Sequence, residues 1–189
     1  MTLERKVGGV KSALEQSEVA QKYIGNLYIF VSILPHTPNE INAYARVIGN
    51  ELHCSVTEAA VELFTEGELL AVLGHEISHL LNPSHTPHLF RGLLFTTVLA
   101  APVAAAAHFS GIHLVVGAVI AVALIFYGIL RALLEKKISR NEEYRADALG
   151  AAVAGPQFMA SALAKLPNES ASWLATHPSS LSRIERIGA

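Results

Sequence analysis

The residues best suited to chemistry lie in "AVLGHEISHLLNPSH", positions 71–85, which contains three histidines and one glutamate between His75 and His85. The segment from His75 to His79 matches HExxH, and on a helix these two histidines project from one face, where they can share one ion. The metal we expect is Zn2+, because two imidazoles and one further N or O ligand leave an open tetrahedral position for water. Glu76 stands beside the first ligand and is placed to accept a proton from that water.

One candidate for the third ligand is nearby. His85 has the spacing of the last histidine in HExxHxxGxxH, the metzincin pattern, with Asn82 in place of glycine. A metzincin also needs a methionine turn beneath the metal, and the one internal methionine, Met159, lies in a segment predicted to be helical. The alternative is that "NPSHTPH" is a loop leading into a membrane segment, with His85 and His88 at its surface.

The other candidate lies about sixty residues further on, in "SRNEEYRADALGAA". Glu143 and Asp147 are four residues apart, so on a helix both carboxylates face the same way. Asp147 is the one aspartate of the chain, and such a pair suits a site where Glu ligates the metal and Asp orients a ligating imidazole. Glu142 has no Asp four residues later. A solvated helix with Glu–Arg pairs is the plain alternative.

An uncharged segment separates the HExxH helix from Glu143. Residues 92–130 contain no Asp, Glu, Lys or Arg, and this length suffices for two membrane-spanning helices of about 20 residues each. We predict a transmembrane hairpin, Arg91–Phe109 and Ile112–Arg131, which contacts the lipid bilayer. A hairpin returns the chain to the point where it left, and this favours Glu143 as the third ligand.

The basic residues around this segment predict its orientation. Arg91 precedes it, and Arg131, Lys136, Lys137 and Arg140 follow it, whereas the turn carries none. The positive-inside rule then places both open ends in the cytoplasm. We therefore expect a discontinuous cytosolic domain, residues 1–90 and 132–189, and a hairpin of residues 91–131.

Composition narrows the possible functions. The chain has 189 residues, of which 51% are hydrophobic and 16% charged, with a net charge of −2. This charge gives no electrostatic reason to expect nucleic acid as a partner. The single cysteine, Cys54, excludes an internal disulfide. The N-terminal "MTLERKVGGVKSALEQ" has no apolar core of a signal peptide.

The elements around the hairpin predict an α+β fold, mostly helical, with a small sheet. Leu27–Leu34 is a predicted strand, and Gly49-Asn50 is suited to the tight turn of a second pair of strands. Thr65 and Glu68 form a capping box for the HExxH helix, which is expected to end near Leu81. The other predicted helices are residues 12–25, residues 134–153, one opened by Pro156 and one from about Ser179.

Four stretches together resemble the membrane-bound HtpX-type proteases, gluzincins related to the CAAX prenyl endopeptidases. They are "NAYA", "ELLAVLGHEISHLLN", "SRNEEYRADALGAA" and "THPSSLSRI", and they span most of residues 42–187. The resemblance implies a zincin-like catalytic domain. It also implies Glu143 as the third zinc ligand, supported by Asp147. The sequence differs from these proteases at the N-terminus, where two further membrane helices are expected and none is visible. The chain therefore resembles a reduced form of them.

The resemblance implies a membrane-tethered zinc endopeptidase that acts on proteins or peptides on the cytoplasmic side, with membrane or misfolded proteins as candidate substrates. An additional oxyanion donor would be His177, with Arg183 as second choice. An extended substrate would pair with the strand containing Asn42, Ala43, Tyr44 and Ala45. Two alternatives stay open: a non-catalytic, zinc-binding membrane adaptor, and a metzincin-type site that uses His85.

Overall fold

The structure is a computed structural model, and it describes residues 2–34, 40–81, 113–166 and 179–188. The chain divides into two compact units. The first comprises Met1–Asn82 and Ser139–Ala189, and the second is Pro83–Ile138. The first unit contains all the described residues that the sequence associates with metal chemistry.

The described sheet has three strands: β1 (Tyr28–Leu34), β2 (Ala43–Ile48) and β3 (Glu51–Thr57). β3 is central, pairing in parallel with β1 and antiparallel with β2. Gly49 adopts a φ of 60° in the turn between β2 and β3, a conformation that glycine adopts without a Cβ penalty. The predicted β-turn at Gly49 between two paired strands and the predicted first strand are thus confirmed. β2 is an edge strand of the described sheet.

Three helices precede the helix that carries the HExxH motif: α1 (Leu3–Gln16), α2 (Glu18–Ile24) and α3 (Glu58–Leu63). The prediction of one helix over residues 12–25 is wrong, because α1 ends at Gln16 and a separate helix, α2, begins at Glu18. The Ser17 hydroxyl accepts a hydrogen bond from the Ala20 N–H, so Ser17 caps α2 instead of continuing α1. α1 and the sheet pack on the face of the next helix that carries Leu69, Leu73 and Ile77.

The HExxH segment lies on α4 (Glu66–Leu81), whose limits agree with the prediction. The capping box is confirmed: the Thr65 N–H donates to Glu68 Oε2 at 2.7 Å, and the Glu68 N–H donates to Thr65 Oγ1 at 3.3 Å. These bonds satisfy two amide groups at a helix start that have no partner within the helix. α4 therefore begins at a defined residue, which fixes the positions of His75 and His79 along it.

The carboxylate motif lies on α5 (His113–Ala154), a single helix of 42 residues. A separate helix over residues 134–153 is therefore a wrong prediction, since no Pro or Gly lies between Gly128 and residue 134 to interrupt the helix. The first limb of the predicted hairpin and its turn lie outside the described residues. Among the helices that the structure describes, none combines the length and the apolar character that a membrane span requires.

Two further helices are described in the first unit: α6 (Pro156–Lys165) and α7 (Ser180–Gly188). Both start close to where the sequence predicts, at Pro156 and near Ser179. α6 packs on α4, and α7 packs on α6, with Ala71, Met159 and Leu163 buried between them. The fold is thus mostly helical with a small sheet, which confirms the predicted α+β class.

Candidate metal centre

Three side chains from two helices converge on one point. His75 and His79 of α4 and Glu143 of α5 each offer a ligand atom, and these atoms lie within 4.8 Å of one another. The Nε2 atoms of the two histidines are 3.0 Å apart. Glu143 Oε2 is 3.6 Å from His75 Nε2, and Glu143 Oε1 is 3.4 Å from His79 Nε2.

These distances fit a tetrahedral zinc site. Ligands that lie roughly 2.0–2.1 Å from a zinc ion at tetrahedral angles are about 3.3 Å from one another. The two imidazole nitrogens are 3.0 Å apart, close to this value, and Glu143 places a different carboxylate oxygen within 3.4 to 3.6 Å of each of them. Three protein ligands leave a fourth position for water or substrate. The donor set of two imidazoles and one carboxylate therefore fits zinc.

Close contact between α4 and α5 brings the carboxylate to the histidines. Gly74 and Gly150 face each other at the crossing: a Cβ on Gly74 would lie 3.0 Å from Gly150 Cα, and one on Gly150 would lie 2.4 Å from the Ala71 carbonyl oxygen. Neither position has room for a larger side chain without displacing backbone. Sequence reasoning missed this close approach; a glycine within a predicted helix is a signal that could have indicated it.

His75 is oriented from behind by Asp147. The two residues are buried, and the His75 Nδ1–H donates to Asp147 Oδ1 at 2.9 Å, since a carboxylate can only accept. With its proton on Nδ1, His75 presents the Nε2 lone pair towards His79 and Glu143. The structure therefore brings Asp147 to the place where the sequence predicted a supporting carboxylate.

Arg183 of α7 completes this buried network. Its Nε donates to Asp147 Oδ2 at 2.7 Å, and its Nη2 donates to Asp147 Oδ1. The guanidinium is 1% exposed, and such a side-on pair fixes the carboxylate plane. The sequence offered Arg183 as a second-choice oxyanion donor and missed this contact, because no local pattern links Arg183 to Asp147 across 36 residues.

The electrostatics keep both partners of this pair charged. Burial alone would raise the pKa of the Asp147 carboxyl, but hydrogen bonds from Arg183 and His75 outweigh burial and lower the pKa. Burial alone would likewise lower the pKa of Arg183, but Asp147, with the charges of Glu143 and Glu76, raises it. The His75 support is therefore an ion pair across the usual pH range.

Glu76 is a partly buried residue of α4 whose charge acts on neighbouring elements. Its negative charge acts on Arg183 and on two residues of the sheet, Tyr44 and Cys54. Burial, together with that charge, raises the pKa of the Cys54 thiol to about 12. Cys54 is fully buried and protonated, so it is not a nucleophile.

The remaining predicted site residues divide into three groups. Asn42, Ala43, Tyr44 and Ala45 lie at the start of edge strand β2, which packs against α4. Glu142 is partly exposed beside the buried Glu143 and does not belong to the ligand group. His85 and His177 lie outside the described residues.

Sequence comparisons relate the chain to known proteins. Residues 10–189 match peptidase family M48. A protease HtpX homolog from Campylobacter hominis is 31% identical over 178 residues, which cover 87% of this chain and 59% of that protein. Protease HtpX of Mannheimia succiniciproducens is 34% identical over 140 residues, 68% of this chain and 48% of that protein. The chain thus spans about half the length of the curated relatives it matches.

A solved structure shares the fold. Ste24p of S. mikatae superposes with a TM-score of 0.54 at 20% sequence identity, over 94% of this chain and 49% of that one. At this identity the similarity concerns the fold alone.

Proposed function

Because the chain belongs to peptidase family M48, as its resemblance to HtpX-type proteases predicted, we propose that it is a zinc metalloendopeptidase that hydrolyses peptide bonds in protein substrates. The observation that carries the proposal is the convergence of His75, His79 and Glu143, with ligand atoms within 4.8 Å of one another. Glu76 follows the first of these ligands on the same helix. A scaffold without catalysis would not require a carboxylate there.

The proposed mechanism assigns a role to each side chain. Zinc, when bound by His75, His79 and Glu143, would act as a Lewis acid that lowers the pKa of its bound water to about 7 and polarises the carbonyl of the peptide bond to be cleaved. Glu76 accepts the proton of the attacking water and passes it to the departing amine. Asp147 holds the His75 tautomer that leaves Nε2 free to ligate.

A donor to the oxyanion is the next requirement of the reaction. Arg183 already uses Nε and Nη2 on Asp147, which favours a role in holding the His75 support. We therefore keep His177 as the proposed oxyanion donor. Arg183 would act on the reaction through Asp147.

The edge of β2 supports the proposed binding of an extended substrate. The Thr57 N–H donates to the Asn42 carbonyl at 3.0 Å, so the Asn42 carbonyl faces β3. Because backbone groups alternate along a strand, those of Ala43 and Ala45 point away from β3. Asn42 Oδ1 already accepts the Ala43 N–H at 2.9 Å. The Ala43 carbonyl and both backbone groups of Ala45 would then bind the peptide.

We further propose that the second unit attaches the protease domain to a membrane, with that domain in the cytoplasm. The support is the uncharged run of residues 92–130 and the basic residues on either side of it. Val115, Val119, Val122 and Phe126 form one stripe of α5 and are 62–73% exposed. Retention in the membrane pellet after carbonate extraction would support this tether, and complete release would contradict it.

The substitution Glu76→Gln tests the catalytic proposal. The variant should bind zinc as wild type does and lose cleavage of an unstructured protein such as casein, because the amide cannot accept the water proton. Glu62→Gln, on the exposed side of α3, is the matched control and should cleave normally. Cleavage retained by Glu76→Gln would refute the mechanism. A zinc-loaded wild type that cleaves no protein would favour the adaptor alternative.

A further inference from the structure

The outer face of β2 carries two exposed side chains that the proposed chemistry does not use. Tyr44 is 45% exposed, and Arg46, two residues later, points to the same face and is also exposed. Their neighbours on β3 are Ser55 and His53. On the other side of β2, the described sheet has no strand.

The surroundings of Arg46 leave its charge available. Its cross-strand neighbour His53 is engaged with Glu51, whose Oε2 lies 2.8 Å from His53 Nε2. The Arg46 side chain makes no hydrogen bond or ion pair within residues 2–34, 40–81, 113–166 and 179–188, and its backbone pairs with His53. A cation on an open sheet edge is therefore free to pair with a residue of an incoming strand.

The surroundings of Tyr44 are negatively charged, unlike the positively charged Arg46. Asn42 Nδ2 donates to the Tyr44 hydroxyl at 2.6 Å, and that hydroxyl donates to Glu40 Oε1 at 3.2 Å. The ring is thus held in place next to an exposed carboxylate. An aromatic face with an adjacent carboxylate favours a Lys or Arg side chain.

The register of β2 places both side chains where a peptide approaches most closely. The backbone groups of Ala43 and Ala45 point outwards, so Tyr44 and Arg46 occupy the non-hydrogen-bonded positions towards an antiparallel peptide. At such positions the paired Cα atoms are about 4.5 Å apart, closer than at hydrogen-bonded ones.

We propose that β2 selects the bound peptide by charge, favouring an acidic residue opposite Arg46 and a basic residue opposite Tyr44, two positions away. The inference rests on the proposed function, since it requires that a substrate strand pairs with β2. Cross-strand pairs of this kind change affinity by about two- to fivefold each. The substrate class is therefore extended segments in which an acidic and a basic residue alternate on one face.

The test is a cleavage profile of the full zinc-loaded chain in detergent on a proteome-derived peptide library, read by mass spectrometry. Wild type should show one subsite enriched about two- to fivefold in Asp and Glu, with a subsite two residues away enriched in Lys and Arg. Arg46→Glu should reverse the preference of the acidic subsite and leave the basic subsite unchanged. Arg46→Gln should abolish the acidic preference. Arg5→Glu, the same charge change at an exposed site on α1, should retain the wild-type profile.

Wild-type zinc content in the Arg46 variants shows that they are folded. A profile of Arg46→Glu identical to that of wild type would overturn the inference while the proposed function stands. Failure of the proposed function gives a different result: no cleavage by wild type, or cleavage that survives Glu76→Gln, overturns both.

Discussion

The surroundings of Glu68 lead us to expect that the free energy of unfolding depends measurably on pH. Its buried carboxylate accepts hydrogen bonds from the Thr65 N–H, from the Ser161 hydroxyl and from Lys165 Nζ at 2.6 Å. These contacts join the start of α4 to α6. Burial alone would raise the pKa of Glu68, but the hydrogen bonds outweigh it and lower the pKa from 4.5 to about 2.

The magnitude follows from this shift. Each pKa unit corresponds to about 1.4 kcal/mol, so the ionised Glu68 contributes roughly 3 kcal/mol to the free energy of unfolding at pH 7. Because the folded pKa lies below the unfolded one, the contribution is complete above pH 4.5 and is lost as the pH falls towards 2. At pH 3 roughly 1.5 kcal/mol should remain.

The assay is urea unfolding of wild type and Glu68→Gln, followed by circular dichroism between pH 7 and pH 3 with a chelator present. The chelator removes the effect of metal release, and the difference between the two proteins isolates Glu68. That difference should fall by about half between pH 7 and pH 3. Glu62→Gln, at an exposed site, should differ little from wild type at any pH. A difference for Glu68→Gln that does not change with pH would refute the reasoning.

Two other perturbations test the support of the site. Asp147→Asn should weaken zinc binding by about 10- to 100-fold in a chelator competition, because His75 loses a charged acceptor; unchanged zinc affinity would contradict this role. Gly150→Ala should destabilise the protein by about 1–3 kcal/mol in thermal unfolding, since the new Cβ would lie 2.4 Å from the Ala71 carbonyl oxygen. Gly8→Ala, in a helix with open space around it, should be neutral or stabilising by up to about 1 kcal/mol, and equal effects of the two substitutions would refute the packing argument.

The features that the sequence predicted correctly are encoded locally. The capping residues Thr65 and Glu68 define the start of α4, and Gly49 defines the turn between β2 and β3. The convergence of the His75 and His79 side chains follows from their spacing of four residues on the same helix. In each case the residues that determine the structure are within a few positions of one another, so their physical preferences can be read directly.

The features that the sequence missed depend on contacts between distant segments or on a break in periodicity. The bidentate contact of Arg183 with Asp147 has no local signature, and neither does the parallel pairing of β1 with β3. A serine such as Ser17 is compatible both with a helix interior and with an N-cap position, so the boundary between α1 and α2 was missed. The change from apolar to charged residues near Arg131 suggested a helix boundary, but composition alone does not end a helix.

The third ligand is the central claim, and zinc content per chain tests it most directly. Purified Glu143→Ala should have lost its zinc, whereas Glu142→Ala, with the same substitution at the neighbouring residue, should retain one zinc per chain. His85→Ala should also retain it. A Glu143→Ala protein that still holds one zinc per chain, or a loss of zinc confined to His85→Ala, would contradict the site formed by His75, His79 and Glu143.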